Sequence, residues 1–136
     1  MKALLLAAGK ATRLGSLSNT TPKCLQEVGK EALLDRIVRQ LYEPGVEEFL
    51  INTHRWAEQI AAHTDNRPDK DRFTIVFEPP VLVTLGTLRA NVDYFDADAE
   101  WVLHADNFIA DSLLRLRRGF EKRPVETWGA ILTFEA

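Results

Sequence analysis

Two cations and a turn of small residues stand where the first apolar run of this chain ends. The order Ala7-Ala8-Gly9-Lys10-Ala11-Thr12-Arg13-Leu14 is followed by Thr21-Pro22-Lys23. Small side chains let the backbone approach a bound group closely, and successive N–H groups can wrap a phosphate. Arg13 offers a planar fork of donors matched to phosphate oxygens, and Lys23 offers a compact point charge. Such a set would cradle a polyphosphate. It would equally serve as a solvated basic turn, and the residues alone do not choose between these readings. Two common phosphate motifs are excluded. A Walker A loop needs Gly-Lys-Ser/Thr, and Gly9-Lys10 is followed by Ala11; a dinucleotide fingerprint needs three glycines, and only Gly9 and Gly15 are near.

A carboxylate complements the cations. Asp106 follows the apolar run Trp101-Val102-Leu103-His104-Ala105, which puts it at the same sheet edge as Gly9. Mg²⁺ commonly uses a carboxylate there, facing a triphosphate. The plainer alternative is a turn or helix-cap aspartate. Cys24, the single cysteine, reads as a loop residue facing the core and not as a catalytic thiol. His54 and His104 lie at strand ends, where either serves as a backbone partner, and His63 ends a helix. No two of the histidines have metal-ligand spacing. Trp56, Trp101 and Trp128 read as core or interface rings.

The elements that must position these groups alternate. Lys2 to Ala7 is a continuous apolar strand, buried on both faces, and Lys10 to Lys30 is a long polar loop without period. Leu33, Leu34, Ile37, Val38 and Leu41 fall at helical spacing between Glu31 and Tyr42, and Pro44-Gly45 stops that helix. Phe49 to Ile51 is a second strand, Arg55 to Ala62 a helix, and Phe73 to Phe77 a third strand. Thr84 to Tyr94 is weakly helical and Trp101 to Ala105 is a fourth strand. Asp111-Ser112 caps a helix with Leu113, Leu114, Leu116 and Phe120 inward, and Trp128 to Phe134 reads as a fifth strand. Alternation of this kind gives one α/β domain, a Rossmann-like, mostly parallel sheet with helices on both faces.

Composition agrees with a soluble globular protein: 136 residues, 46% hydrophobic and 27% charged. A net charge of −3 argues against broad nucleic-acid binding, and no apolar run is long enough to span a bilayer. The apolar start is too short for a signal peptide and is followed by Lys10 and Arg13, so the expected compartment is the cytoplasm.

The segments Leu5-Leu6-Ala7-Ala8-Gly9-Lys10-Ala11-Thr12-Arg13-Leu14, Thr21-Pro22-Lys23-Cys24-Leu25 and Val28-Gly29-Lys30 resemble the signature that opens sugar-1-phosphate nucleotidyltransferases. Ile51-Asn52-Thr53-His54, Glu78-Pro79, Gly86-Thr87-Leu88 and His104-Ala105-Asp106-Asn107 follow in the same order. The resemblance implies a nucleotidyltransferase or GT-A-like fold. It implies nucleotide binding by Leu6, Ala7, Ala8, Gly9, Lys10, Ala11, Thr12, Arg13, Asn52, Glu78, Val83, Thr84 and Asp106. Arg13, Lys23 and Asp106 would be catalytic, with Mg²⁺ on Asp106. The implied reaction joins a nucleoside triphosphate and a sugar 1-phosphate into a nucleotide sugar, releasing pyrophosphate. The strand-end motifs look most like guanylyltransferases acting on mannose- or heptose-1-phosphate, which favours GTP.

Three departures accompany the resemblance. Ala11 replaces a glycine of the loop, and Val83 stands where a glycine commonly approaches the base. The third is length: the chain resembles only the N-terminal, nucleotide-binding part of such a domain, without the sugar-binding half. A nucleotide-sensing or regulatory homologue that binds without turnover is the alternative these departures favour. A final strand without successors is expected to leave an edge or apolar surface for self-association.

Overall fold

In the computed structural model, which describes residues 1–9, 20–95 and 100–133, four parallel strands form the central sheet. Strand β1 (Lys2–Leu6) lies at the centre, hydrogen-bonded to β4 (Glu48–Thr53) on one side and β6 (Trp101–His104) on the other; β5 (Phe73–Phe77) flanks β4. Leu4 pairs with both Leu50 and Val102. The apolar runs of β1 and β4 form strands here because both faces of a parallel sheet are covered. Ala3, Leu4 and Leu5 are fully buried, as are Phe49, Leu50 and Ile51 within 1%.

Alternate residues face opposite layers. Ala3, Leu5, Phe49, Ile51, Trp101 and Ala105 share one core with Leu34, Ile37, Val38 and Leu41 of α1 (Leu33–Tyr42), Ile60 of α2 (Ala57–Asp65) and Leu113 of α4 (Leu113–Glu121). The even positions face the other way, where Asn52 of β4 meets Thr87 of α3 (Val83–Ala90). Helices therefore cover both faces. The helix α1 stops at Gly45, whose φ of 87° only glycine adopts without strain and whose N–H returns to the Tyr42 carbonyl. Ser112 caps α4, its hydroxyl accepting from the Leu114 N–H at 3.2 Å.

Four expectations change. Glu31-Ala32 is not the first turn of α1 but strand β3, paired antiparallel with β2 (Glu27–Val28) inside the expected loop. Gly29 and Lys30 both have positive φ, 65° and 71°, the backbone a two-residue hairpin turn requires. The weakly helical stretch is shorter, ending at Ala90 with a 3-10 turn at Val92–Tyr94. Leu113 and Leu116 of α4 pack inward, whereas Phe120 lies part-exposed under the Arg123 guanidinium. The fifth strand does not form: residues 128–133 have no regular structure, with Trp128 98% and Ile131 86% exposed, and Phe134 lies outside the described residues. Apolar residues favour a strand only where a neighbouring ladder receives them, and the pattern of types supplies no neighbour.

The order β5-β4-β1-β6 has a functional consequence. From β1 the chain steps outward through β4 to β5, then crosses back to place β6 on the far side of β1. The direction of winding reverses between β1 and β6, and the crevice beyond their carboxyl ends is where open α/β sheets bind ligands.

Candidate functional site

A cleft of about 240 Å³ opens at that reversal point. Its β1 side is Leu6, Ala7, Ala8 and Gly9; its β6 side is His104 and Asp106; Asn52, Lys23 and Cys24 border it, and Val81, Val83 and Thr84 form the wall contributed by the start of α3. Lys10, Ala11, Thr12 and Arg13 lie outside the described residues. Nine of the site residues expected from the sequence thus meet in one cleft: Leu6, Ala7, Ala8, Gly9, Lys23, Asn52, Val83, Thr84 and Asp106.

Lys23 belongs to a short 3-10 turn, Lys23–Leu25, that Cys24 anchors in the core. Its Nζ lies 3.4 Å from the Asp106 carboxylate, both side chains about one-third exposed. The cleft therefore carries a cation and an anion within reach of each other and of any bound group. Cys24 is 2% exposed; burial pushes its thiol up to about 12, and the Asp106 carboxylate adds to the effect. A thiol so raised is protonated at neutral pH and supplies no nucleophile.

Ala7 marks the point where β1 gives way to the glycine loop. Its N–H donates to the Asn52 side-chain Oδ1 at 2.8 Å and to the Asn52 carbonyl at 3.2 Å. That donor is committed within the protein and is not available to a bound group. Asn52 Nδ2 in turn donates to Glu78 Oε1 and Thr87 Oγ1. Glu78, offered by the sequence as a nucleotide-binding residue, is 2% exposed and sits behind the cleft, outside its lining. His54 Nδ1 donates to the Glu78 carbonyl at 2.7 Å, and its ring stacks on Phe77.

Val83 has a φ of 55°, the left-handed region that a β-branched residue rarely enters. Glycine enters this region freely, whereas here a valine, 71% exposed, contributes to the cleft wall. The sequence reading missed Val81, His104 and Thr87. Thr87 carried a signal, since it lies between Gly86 and Leu88 in a matched segment, but its burial was not visible.

No three His, Cys, Asp or Glu side chains cluster to hold a metal among the described residues. A single carboxylate fits Mg²⁺ nonetheless when the nucleotide brings phosphate oxygens of its own, because Mg²⁺ is usually held by one or two carboxylates plus substrate phosphates. Asp106 is the described residue that meets this condition. No helix among the described residues is long and apolar enough to cross a membrane.

The MobA-like NTP transferase domain matches residues 3–130, and the chain belongs to that family. Its relatives include the N-acetylmuramate alpha-1-phosphate uridylyltransferase of Caulobacter vibrioides, 40% identical over 68 residues, 50% of this chain and 28% of that protein. Another is the choline-phosphate cytidylyltransferase of Streptococcus pneumoniae, 27% identical over 115 residues, 85% of this chain and 48% of that protein. Among solved structures, HddC from Yersinia pseudotuberculosis complexed with GMP-PN superposes with a TM-score of 0.74 at 21% identity, over 89% of this chain and 54% of that one. The last shows the shared fold. The chain spans less than half the length of both curated relatives.

Proposed function

We propose that this chain forms the nucleotide-binding part of an enzyme that transfers a nucleoside monophosphate from a nucleoside triphosphate to a sugar 1-phosphate. The observation that carries this reading is the meeting of Lys23 and Asp106 beside Gly9 at the reversal point of the sheet. In the reaction, an oxygen of the sugar phosphate attacks the α-phosphorus in line, a new P–O bond forms, and the bond to pyrophosphate breaks. The protein's part is to align the reactants and to stabilise charge that builds on oxygen. The loop after Ala7, together with Arg13, binds the triphosphate; Lys23 reaches a phosphate; Asp106 holds Mg²⁺, which when bound neutralises phosphate charge. No covalent nucleophile is needed.

GTP is the first nucleotide to test, on the strength of His104-Ala105-Asp106-Asn107, and UTP the second, on the strength of the 40% identical uridylyltransferase. The expected compartment is the cytoplasm, and exposed Trp128 and Ile131 support a homo-oligomer. Calorimetric titration with GTP, UTP, dTTP, CTP and ATP, each with and without Mg²⁺, tests the reading. Saturable binding that prefers one base, strengthens with Mg²⁺ and falls in Arg13→Ala supports it. Binding that persists unchanged in Arg13→Ala refutes the phosphate cradle. A second reading, a nucleotide sensor without turnover, is favoured by the valine at position 83 in a glycine-like backbone; binding of nucleotide without pyrophosphate release would select it.

A further inference from the structure

The carboxylate of Glu78 is held by three neutral donors: the Asn52 amide at 3.2 Å, the Thr87 hydroxyl at 2.6 Å and the Leu82 backbone N–H at 3.1 Å. Thr87 is fully buried and also accepts from Asn52 at 3.1 Å. The two ends of an asparagine amide have nearly the same shape, so only its partners fix which end points where. Here two acceptors, Glu78 Oε1 and Thr87 Oγ1, claim the NH₂ group and leave Oδ1 facing the Ala7 N–H. On its other oxygen, Glu78 closes the Pro79-Pro80 excursion by accepting from Leu82, the residue immediately before the left-handed Val83. A backbone in that region persists only where its surroundings fix it.

We propose that Glu78 and Thr87 are positioning residues for nucleotide binding. Acting through Asn52 and Leu82, they hold Ala7 and the adjoining Ala8-Gly9 on one side of the cleft and the Val81–Thr84 wall on the other at a fixed separation. The proposal rests on the nucleotide-binding reading above. It goes beyond it in assigning a role to two buried side chains that do not line the cleft. A network of this kind is sensitive to one missing member, because a buried polar group left unpaired costs more than the bond itself was worth.

The test uses Thr87→Val, which keeps the shape and removes the hydroxyl, and Thr87→Ser, which restores it. Two quantities are measured on the 136-residue chain: affinity for GTP and UTP with Mg²⁺, and amide exchange at Ala7 and Leu82 without nucleotide. In Thr87→Val, affinity should fall about tenfold and exchange at both amides should rise about tenfold, the scale of one lost buried hydrogen bond. Thr87→Ser should return both to within about threefold of wild type. Faster exchange with wild-type affinity makes the network merely structural and overturns the proposal. Weaker binding with unchanged exchange also overturns it, because the effect then takes another route. If Thr87→Val does not fold, Glu78→Gln carries the same two measurements, with Thr87→Ser as the conservative control. Failure of the wild-type chain to bind any nucleotide refutes the functional reading, and a wild-type exchange rate in the variant separately refutes the clamp.

Discussion

Lys23 and Asp106 are each other's counter-ions across the cleft, 3.4 Å apart. On the proposed function, a triphosphate carrying Mg²⁺ would offer each of them a different partner, phosphate for the lysine and metal for the aspartate, so binding would exchange one ion pair for two contacts. Asp106→Ala should therefore abolish the strengthening of nucleotide binding by Mg²⁺. Metal-free affinity should survive and rise a few-fold, since Lys23 is released; that rise is on the order of 1 kcal/mol or less for a part-exposed pair. Calorimetry with and without Mg²⁺ reads both effects. Wild-type metal dependence in the variant would remove Asp106 from the metal site.

Val83 provides a stability test. A β-branched residue in the left-handed region costs about 1–3 kcal/mol, whereas glycine enters it freely at an unfolded-chain entropy cost of about 0.5–1 kcal/mol. Val83→Gly is expected to raise the thermal midpoint, by roughly 1 kcal/mol of stability, despite the loss of an apolar side chain. The residue is 71% exposed, so little burial is lost. A lower midpoint in chemical or thermal denaturation would contradict the strain.

Cys24 should be silent to thiol reagents at pH 8 in the folded protein and react promptly in denaturant. With its thiol held at about 12, the folded state binds this proton more tightly than the unfolded chain does. Its contribution to stability is fully present below the ordinary value of about 9 and is lost as pH rises from there toward 12. The alkaline limb of a stability–pH profile should be shallower in Cys24→Ala than in wild type. Equal slopes would place the thiol in water.

Away from the cleft, Arg67 forks onto Asp69 at 2.8 and 2.9 Å and also contacts Asp35, which His63 meets at 3.0 Å. Tyr42 donates to the same Asp69. Arg67, with its two hydrogen bonds, holds the Asp69 carboxyl below its usual value, although partial burial opposes this. The stability this gives is present above the ordinary carboxylate value of 3.8 and is lost as pH falls through the depressed one. Arg67→Ala removes the guanidinium that Asp35 and Asp69 share and should cost on the order of 2 kcal/mol at pH 7, with a smaller difference from wild type at pH 3. A loss that does not shrink in acid would point to packing against Phe73 instead.

The strands that carry the cleft were legible because parallel strands buried on both faces read as unbroken apolar runs, as in Ala3-Leu4-Leu5 and Phe49-Leu50-Ile51. Small residues and Lys23 near the end of the first run, and Asp106 beyond the fourth, pointed to one sheet edge before any fold was known. The strand expected at Trp128 failed because its apolar residues say nothing about a neighbour to pair with. The hairpin at Gly29-Lys30 went unread since two-residue strands are too short to show a period. Glu78 was singled out by the resemblance carried by Glu78-Pro79, but whether a strand-end carboxylate turns toward the cleft or behind it depends on Asn52 and Thr87, which are distant in sequence.

That distance also bears on how the site comes into being. The Ala7–Asn52 bond spans 45 residues and the Asn52–Thr87 bond 35, so the polar network exists only after three separate segments have docked. Closing such loops costs chain entropy before any bond returns it, and contacts of long range form late. During refolding, helical and strand signals should therefore recover before a fluorescent nucleotide analogue is captured. On the proposed function, ligand capture would report the last docking event, and a chain that frays only at α3 would release nucleotide while most of its sheet remains intact.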